Sequence, residues 1–193
     1  MKKLASQDRQ ALIRLASGLK PGSPERVAIL AGLTKQSNDE VNIPGKHIFD
    51  KAKVSGRAEV SGNATVAGNA KVYGKATVAG NAQVFGDAKV KGGAGVYGNA
   101  EVSGGEVYGD AEVSGDAKVF GDAKVYHNAS VYGKAKVGGD AQVYGLARVY
   151  GDAKVYGNAD ISGTAVIRGG NWDGSEGKIT SGTWKAPGDP VKY

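Results

Sequence analysis

At 193 residues the chain has room for one solid domain and a small appendage, and its lack of cysteine excludes a disulfide framework, a zinc–thiolate site and a thiol nucleophile. Its 25 Lys and Arg are interspersed with 19 Asp and Glu for a formal net charge of +6, a mixed solvated surface and not the concentrated basic face of a dedicated nucleic-acid protein. The 32 glycines would read as a linker if scattered, but they fall in register.

The first residues resemble the charged start of a signal peptide, but Asp8, Arg9 and Arg14 interrupt any apolar run behind them. No segment approaches the roughly 20 apolar residues of a membrane span. The expectation is synthesis and folding in the cytoplasm, with no signal peptide and no membrane partner. Leu12, Leu15, Ala16 and Leu19 recur at helical spacing after Ser6, and Lys20-Pro21-Gly22 ends that helix. A second helix begins at Ser23-Pro24-Glu25, where a capping hydroxyl precedes proline and an early carboxylate. Val27, Ile29, Leu30 and Leu33 are its apolar positions, and Gly32 is a C-terminal stop. Residues 1–45 are thus a helical hairpin and linker that caps the following domain or docks onto a larger assembly. Leu12, Leu15, Leu19 and Leu30 are its contact residues.

From Ala52 to Gly170 the chain repeats one six-residue phrase, Ala-x-Val-x-Gly-Asn/Asp. Such a unit buries its apolar side only against its neighbours, which is the signature of a solenoid. Ala and Val, two apart, point to one side of an extended segment while the residue between them points to the other. Glycine then frees the backbone for a corner, and Asn or Asp tolerates the left-handed dihedrals found there. Three units close a triangular coil. Stacking by parallel pairing at ~4.8 Å gives six to seven coils over residues 46–170. One unit is short: Val102 and Val107 are five apart through Ser103-Gly104-Gly105-Glu106. A loss inside a strand would turn every later valine outward. The spacing therefore predicts a tightened bend, with Val113 still inside.

After Gly170 the phrase decays, and residues 171–193 are read as a C-terminal cap or tail. Gly177-Lys178-Ile179-Thr180 keeps one rung, while Trp172, Trp184, Pro187 and Pro190 supply bulk to cover an open end of the stack.

Phrases such as Val-Tyr-Gly-Asn-Ala-Lys resemble the hexapeptide repeat of left-handed parallel β-helix proteins, with an aliphatic first and a small residue fifth. The resemblance spans about 120 residues and implies an all-β solenoid, a left-handed parallel β-helix preceded by the helical hairpin. One departure is that the second position, often small or acidic in that family, is commonly Tyr, Phe or Ser here.

Residues eighteen apart stack. The position after valine runs Ser55, Tyr73, Lys91, Tyr108, Tyr126, Tyr144 and Ser162 along one face. A second column holds Tyr97, Tyr132 and Tyr150, and a third Phe85, Phe120 and Tyr156. Aromatic ladders of this kind brace successive coils. Tyr is also favoured at protein contacts. Since relatives often form trimers, Tyr73, Tyr108, Tyr126 and Tyr144 are the candidate contact surface of a homotrimer. Lys118, Lys136 and Lys154 form a column beside Asp122, Asp140 and Asn158, where alternating surface pairing is expected. A cation on the Asp corners, or a sulfated or phosphorylated polymer on the lysines, is the other use of that column.

The resemblance also brings enzymes into view, since many hexapeptide proteins are acyltransferases and some are zinc carbonic anhydrases. The first need a histidine base near a cleft and the second a cluster of three histidines. This chain has His47 and His127 only, the latter where a corner glycine normally stands, and no loop is inserted between Ala52 and Gly170. The reading is therefore a non-enzymatic structural or assembly protein with no cofactor and no metal. The likeness to phage and bacterial hexapeptide proteins implies a virion or surface-appendage component. The alternatives are a polysaccharide-binding module using Tyr ladders and an acyltransferase-like enzyme with His127 as base.

Overall fold

In the computed structural model, residues 47–190 are described, and they form an all-β parallel solenoid of about seven coils. Leu12, Leu15, Leu19, Leu30 and the expected hairpin lie outside the described residues. Strands of two residues, with one of four near the end, fall on three sheets whose pairing is parallel up to that longer strand. Sheet one has eight strands, from His47–Ile48 to Asn171–Trp172, and sheet two has eight, from Lys53–Val54 to Lys178–Ile179. Sheet three has nine, from Glu59–Val60 to Thr183–Ala186, closed by an antiparallel strand at Asp189–Pro190.

The six-residue phrase explains each element. Valines of successive coils are register partners, Val54 with Val72 and Val60 with Val78, and each is buried. The alanines two residues earlier are buried beside them, so the core is a column of small and branched side chains. Main-chain polar groups are satisfied between coils, as where Lys71 N–H donates to the Ala88 carbonyl at 2.9 Å and Lys75 N–H to that of Gly92 at 2.7 Å. The corner glycines take positive φ, Gly98 at 67° for example, and pack on one another: a Cβ on Gly98 would lie 3.2 Å from the Gly115 nitrogen.

The short unit behaves as its spacing predicts. Glu101–Val102 and Glu106–Val107 keep their places on sheets one and two, and Val107 and Val113 are fully buried. Gly104 and Gly105 absorb the loss with φ of 150° and 69°. The Gly105 carbonyl accepts from Lys89 N–H as the Ala88 carbonyl does from Lys71. Gly105 thus stands in the alanine position, and the residue that is missing is the polar corner.

Pairing continues past Gly170. Trp172 and Trp184 stand where valine stands elsewhere, paired with Val155 and Ile167, and Trp172 is fully buried. Both end five-residue steps, from Ile167 and from Ile179, of the same pattern as Val102 to Val107. Each indole N–H donates to a carbonyl three residues back, Trp172 to Gly169 at 2.7 Å and Trp184 to Ser181 at 2.9 Å. A seven-residue step from Trp172 to Ile179, turned at Gly174 and Gly177, restores the phase on sheet two. The three short steps fall one at each corner of the coil.

Candidate functional site

The densest chemistry outside the core lies on the edge between sheets two and three. Tyr108, Tyr126 and Tyr144 follow valines in three successive coils, so the backbone delivers their rings at the strand spacing. Ring centroids are 4.9 Å apart for Tyr108 and Tyr126 and 4.7 Å for Tyr126 and Tyr144, with planes inclined by 4° and 6°. The stack is closed by cations: Lys91 Nζ lies 4.8 Å from the Tyr108 centroid and Lys178 Nζ 5.2 Å from that of Tyr144. Lys178 also donates to the Tyr144 hydroxyl at 2.6 Å, and Tyr126 donates to Gln142 Oε1 at 3.1 Å. Every ring face in this ladder is covered; edges and hydroxyls remain outward. Desolvation, then the neighbouring Tyr144 and Tyr108, raises the Tyr126 hydroxyl pKa above its ordinary 10.0.

Tyr73 does not join the stack, because Lys91 stands between it and Tyr108 in the column. A second pair, Tyr132 and Tyr150, stacks at 4.8 Å beside Arg168. The third column forms no ladder. There Phe120 folds over Gly138, and Phe120 and Tyr156 stay exposed; in the second column Tyr97 folds over Gly95 and is likewise exposed.

His127 occupies the corner position held by glycine in neighbouring coils, with φ of 59°. Its ring meets Tyr126 edge-on at 4.9 Å. His47 begins sheet one in the first coil, paired with Thr65, whereas His127 lies on a corner between sheets two and three. Among the described residues no three His, Cys, Asp or Glu side chains are gathered so as to hold a metal ion, and no helix is long and apolar enough to cross a membrane.

The missing corner residue leaves a concavity of about 660 Å³ between Asp87 and Asp122, lined also by Lys89, Ser103, Glu106 and Lys124. Glu106 is its organising group. It accepts from Lys89 at 2.9 Å and Lys91 at 2.8 Å, and these bonds, that from Lys91 first, lower its pKa to about 2. Sequence reasoning missed this node, because the pairing joins residues 17 and 15 apart across coils.

The expected pairing of lysines with acidic corners does not occur. Lys118 bridges to Glu101 on its own sheet, and no ion pair ties Lys136 or Lys154 to Asp122 or Asp140. Corner side chains run along the axis instead: Asn63 donates to Asn81 at 3.2 Å, Asn81 to Asn99 at 3.1 Å, and Asn99 to Asp116 at 2.9 Å.

No family model matches the chain, and neither a curated protein nor a solved structure matches it.

Proposed function

We propose that the chain is a non-enzymatic structural protein: a rigid rod that presents a prebuilt contact edge to copies of itself and anchors to a larger body through residues 1–45. The observation that carries this reading is the locked tyrosine stack. Rings held on both faces, at centroid distances of 4.9 and 4.7 Å, present edges and hydroxyls in one arrangement. An interface using them orders little that is not already ordered. The unbroken run of two-residue strands from Lys53 to Ile179 supports a rod, since each coil braces the next. The covered ring faces make sugar stacking on this ladder the weaker reading.

The hexapeptide likeness adds finer content: a left-handed coil, side-by-side homotrimers, and service as a virion or surface-appendage component. Light scattering on the full chain tests the assembly, with three times the chain mass expected. Tyr108→Ser/Tyr126→Ser should shift that mass to the monomer while circular dichroism stays β-rich. A wild-type monomer at tens of micromolar would overturn the trimer. Deleting residues 1–45 should leave the rod folded and abolish docking; an unfolded rod would make that segment a cap.

A further inference from the structure

Charge is distributed unevenly along the solenoid. Residues 47–91 carry seven Lys or Arg against three Asp or Glu, whereas 92–190 carry nine against twelve. The excess gathers on sheet two. Register sets Lys53 beside Lys71 and Lys71 beside Lys89, all in the outward position of their strands. Lys51 stands on the corner before this column, and Arg57 and Lys75 on the corner after it.

Glu106 neutralises Lys89 and Lys91, but among the described residues no ion pair within 4.0 Å holds Lys51, Lys53, Arg57, Lys71 or Lys75. Like charges on neighbouring strands, ~4.8 Å apart, repel and destabilise the pair. The fold does not demand lysine here. The same outward position takes Thr65, Gln83 and Glu101 on sheet one and Thr77 and Ser130 on sheet three. Lys136 and Lys154 are also stacked on sheet one, but acidic corners at Asp122, Asp140 and Asp152 surround them, whereas Lys51, Arg57 and Lys75 add to the charge of Lys53 and Lys71. A row of cations that its surroundings reinforce and do not offset is directed at something outside.

We propose that sheet two of the first two coils binds a linear acidic polysaccharide, one bearing sulfate, phosphate or carboxylate groups, laid along the Lys53–Lys71 row. Lys51, Arg57 and Lys75 flank it and admit charged substituents on either side. The row fits an extended polymer because its cations repeat at the coil spacing on a flat face and enclose no cavity. Single-stranded nucleic acid is held by a succession of open aromatic faces; those of the nearby ladder are covered, and Tyr73 is the single ring standing among these lysines. An anionic bilayer would be held better with apolar side chains among the cations. Among the described residues the exposed large apolar side chains are Ile48, Phe49, Tyr97, Phe120, Leu146 and Tyr156, none on a sheet-two strand, and only Ile48 and Phe49, just before Lys51, are close in sequence to these cations. The inference stands apart from the assembly reading, since neither the ladder nor residues 1–45 enter it.

The test is affinity of the full-length chain for immobilised heparin, a densely sulfated polysaccharide, with neutral dextran as control. Retention near physiological salt and release by about 1 M NaCl are expected, because screening at that strength is nearly complete. K53E/K71E should lower affinity at least about tenfold, whereas K53R/K71R stays within about threefold of wild type. K136E/K154E, the same reversal on sheet one, should also stay within about threefold. If K53E/K71E loses its cooperative melt, K53Q/K71Q replaces it, with Gln83 as precedent for the position. Equal losses from the two charge reversals, or undiminished binding by K53E/K71E or its replacement, would overturn the proposal. So would binding to phosphatidylserine vesicles or to single-stranded DNA at least as tight as to heparin.

Discussion

Replacing Tyr126 by alanine separates a ladder that braces the rod from one that only decorates it. Tyr126 has a stacked ring on each side, at 4.9 and 4.7 Å, and its hydroxyl donates to Gln142. Two ring contacts at ~0.5–1.5 kcal/mol each give a loss of about 2 kcal/mol. An exposed hydrogen bond adds about 0.5 kcal/mol. Tyr108 has one stacked ring and the Lys91 ammonium, so Tyr108→Ala should cost about half as much. The double variant should reveal a coupling of ~0.5–1.5 kcal/mol. Because a solenoid can open in parts, native-state hydrogen exchange is the suitable assay. The amides to follow are Tyr108, Tyr126 and Tyr144, which donate to Val125, Val143 and Ile161. Tyr156→Ala, on an exposed ring, is the control. The reasoning fails if Tyr126→Ala protects these amides as well as Tyr156→Ala does, or if the coupling is below about 0.3 kcal/mol.

Three further outcomes follow from the geometry. Glu106, with its pKa lowered to about 2, contributes stability that is full above its ordinary 4.5 and lost as pH falls towards 2; Glu106→Gln should flatten that part of a pH–melting profile. Gly139→Ala and Gly177→Ala share a positive-φ penalty of ~1–2 kcal/mol, but a Cβ at Gly139 would also lie 2.9 Å from the Gly157 nitrogen, while Gly177 has nothing within 4 Å. Denaturant unfolding should show the Gly139 variant the less stable by at least ~1 kcal/mol. At His127, glycine relieves the left-handed backbone but loses the ring contact with Tyr126, so His127→Gly should change stability by less than ~1 kcal/mol, whereas His127→Ala keeps the backbone cost and loses about 1 kcal/mol. A larger loss in the glycine variant would assign His127 interactions that its backbone position does not explain.

The coil was legible because one physical rule, Ala and Val two apart, sets the strand, the face and the register together. The short unit was legible for the same reason, since only a corner can lose a residue without exposing Val113. In the sequence Trp172 and Trp184 look like end covers and not rungs, because five-, seven- and five-residue steps hide the period. The signal was present: Val-Ser-Gly-Gly-Glu-Val, Ile-Arg-Gly-Gly-Asn-Trp and Ile-Thr-Ser-Gly-Thr-Trp share one spacing. The charged surface was less legible. Whether Lys118 meets Glu101 or Asp122 depends on side-chain direction, and corner residues follow a positive-φ glycine that sends them along the axis, as Asn99 to Asp116. The Tyr stack followed from eighteen-residue spacing, but its closure by Lys91 and Lys178 did not, because long side chains reach beyond their own rung.

The small common interior has a hereditary consequence. Between Ala52 and Asp87 successive coils offer each other the same Ala and Val, so unequal recombination within so repetitive a gene can add or delete a whole coil and still yield a foldable product. Length is then cheap to change there, while outward residues diverge coil by coil. The shortened corners act against this. A crossover that joins coils on opposite sides of Gly104–Gly105 must also carry or discard the five-residue step intact. That step divides the regular coils into two stretches, one before it and one from Val107 to Ile167, each of which can change length on its own.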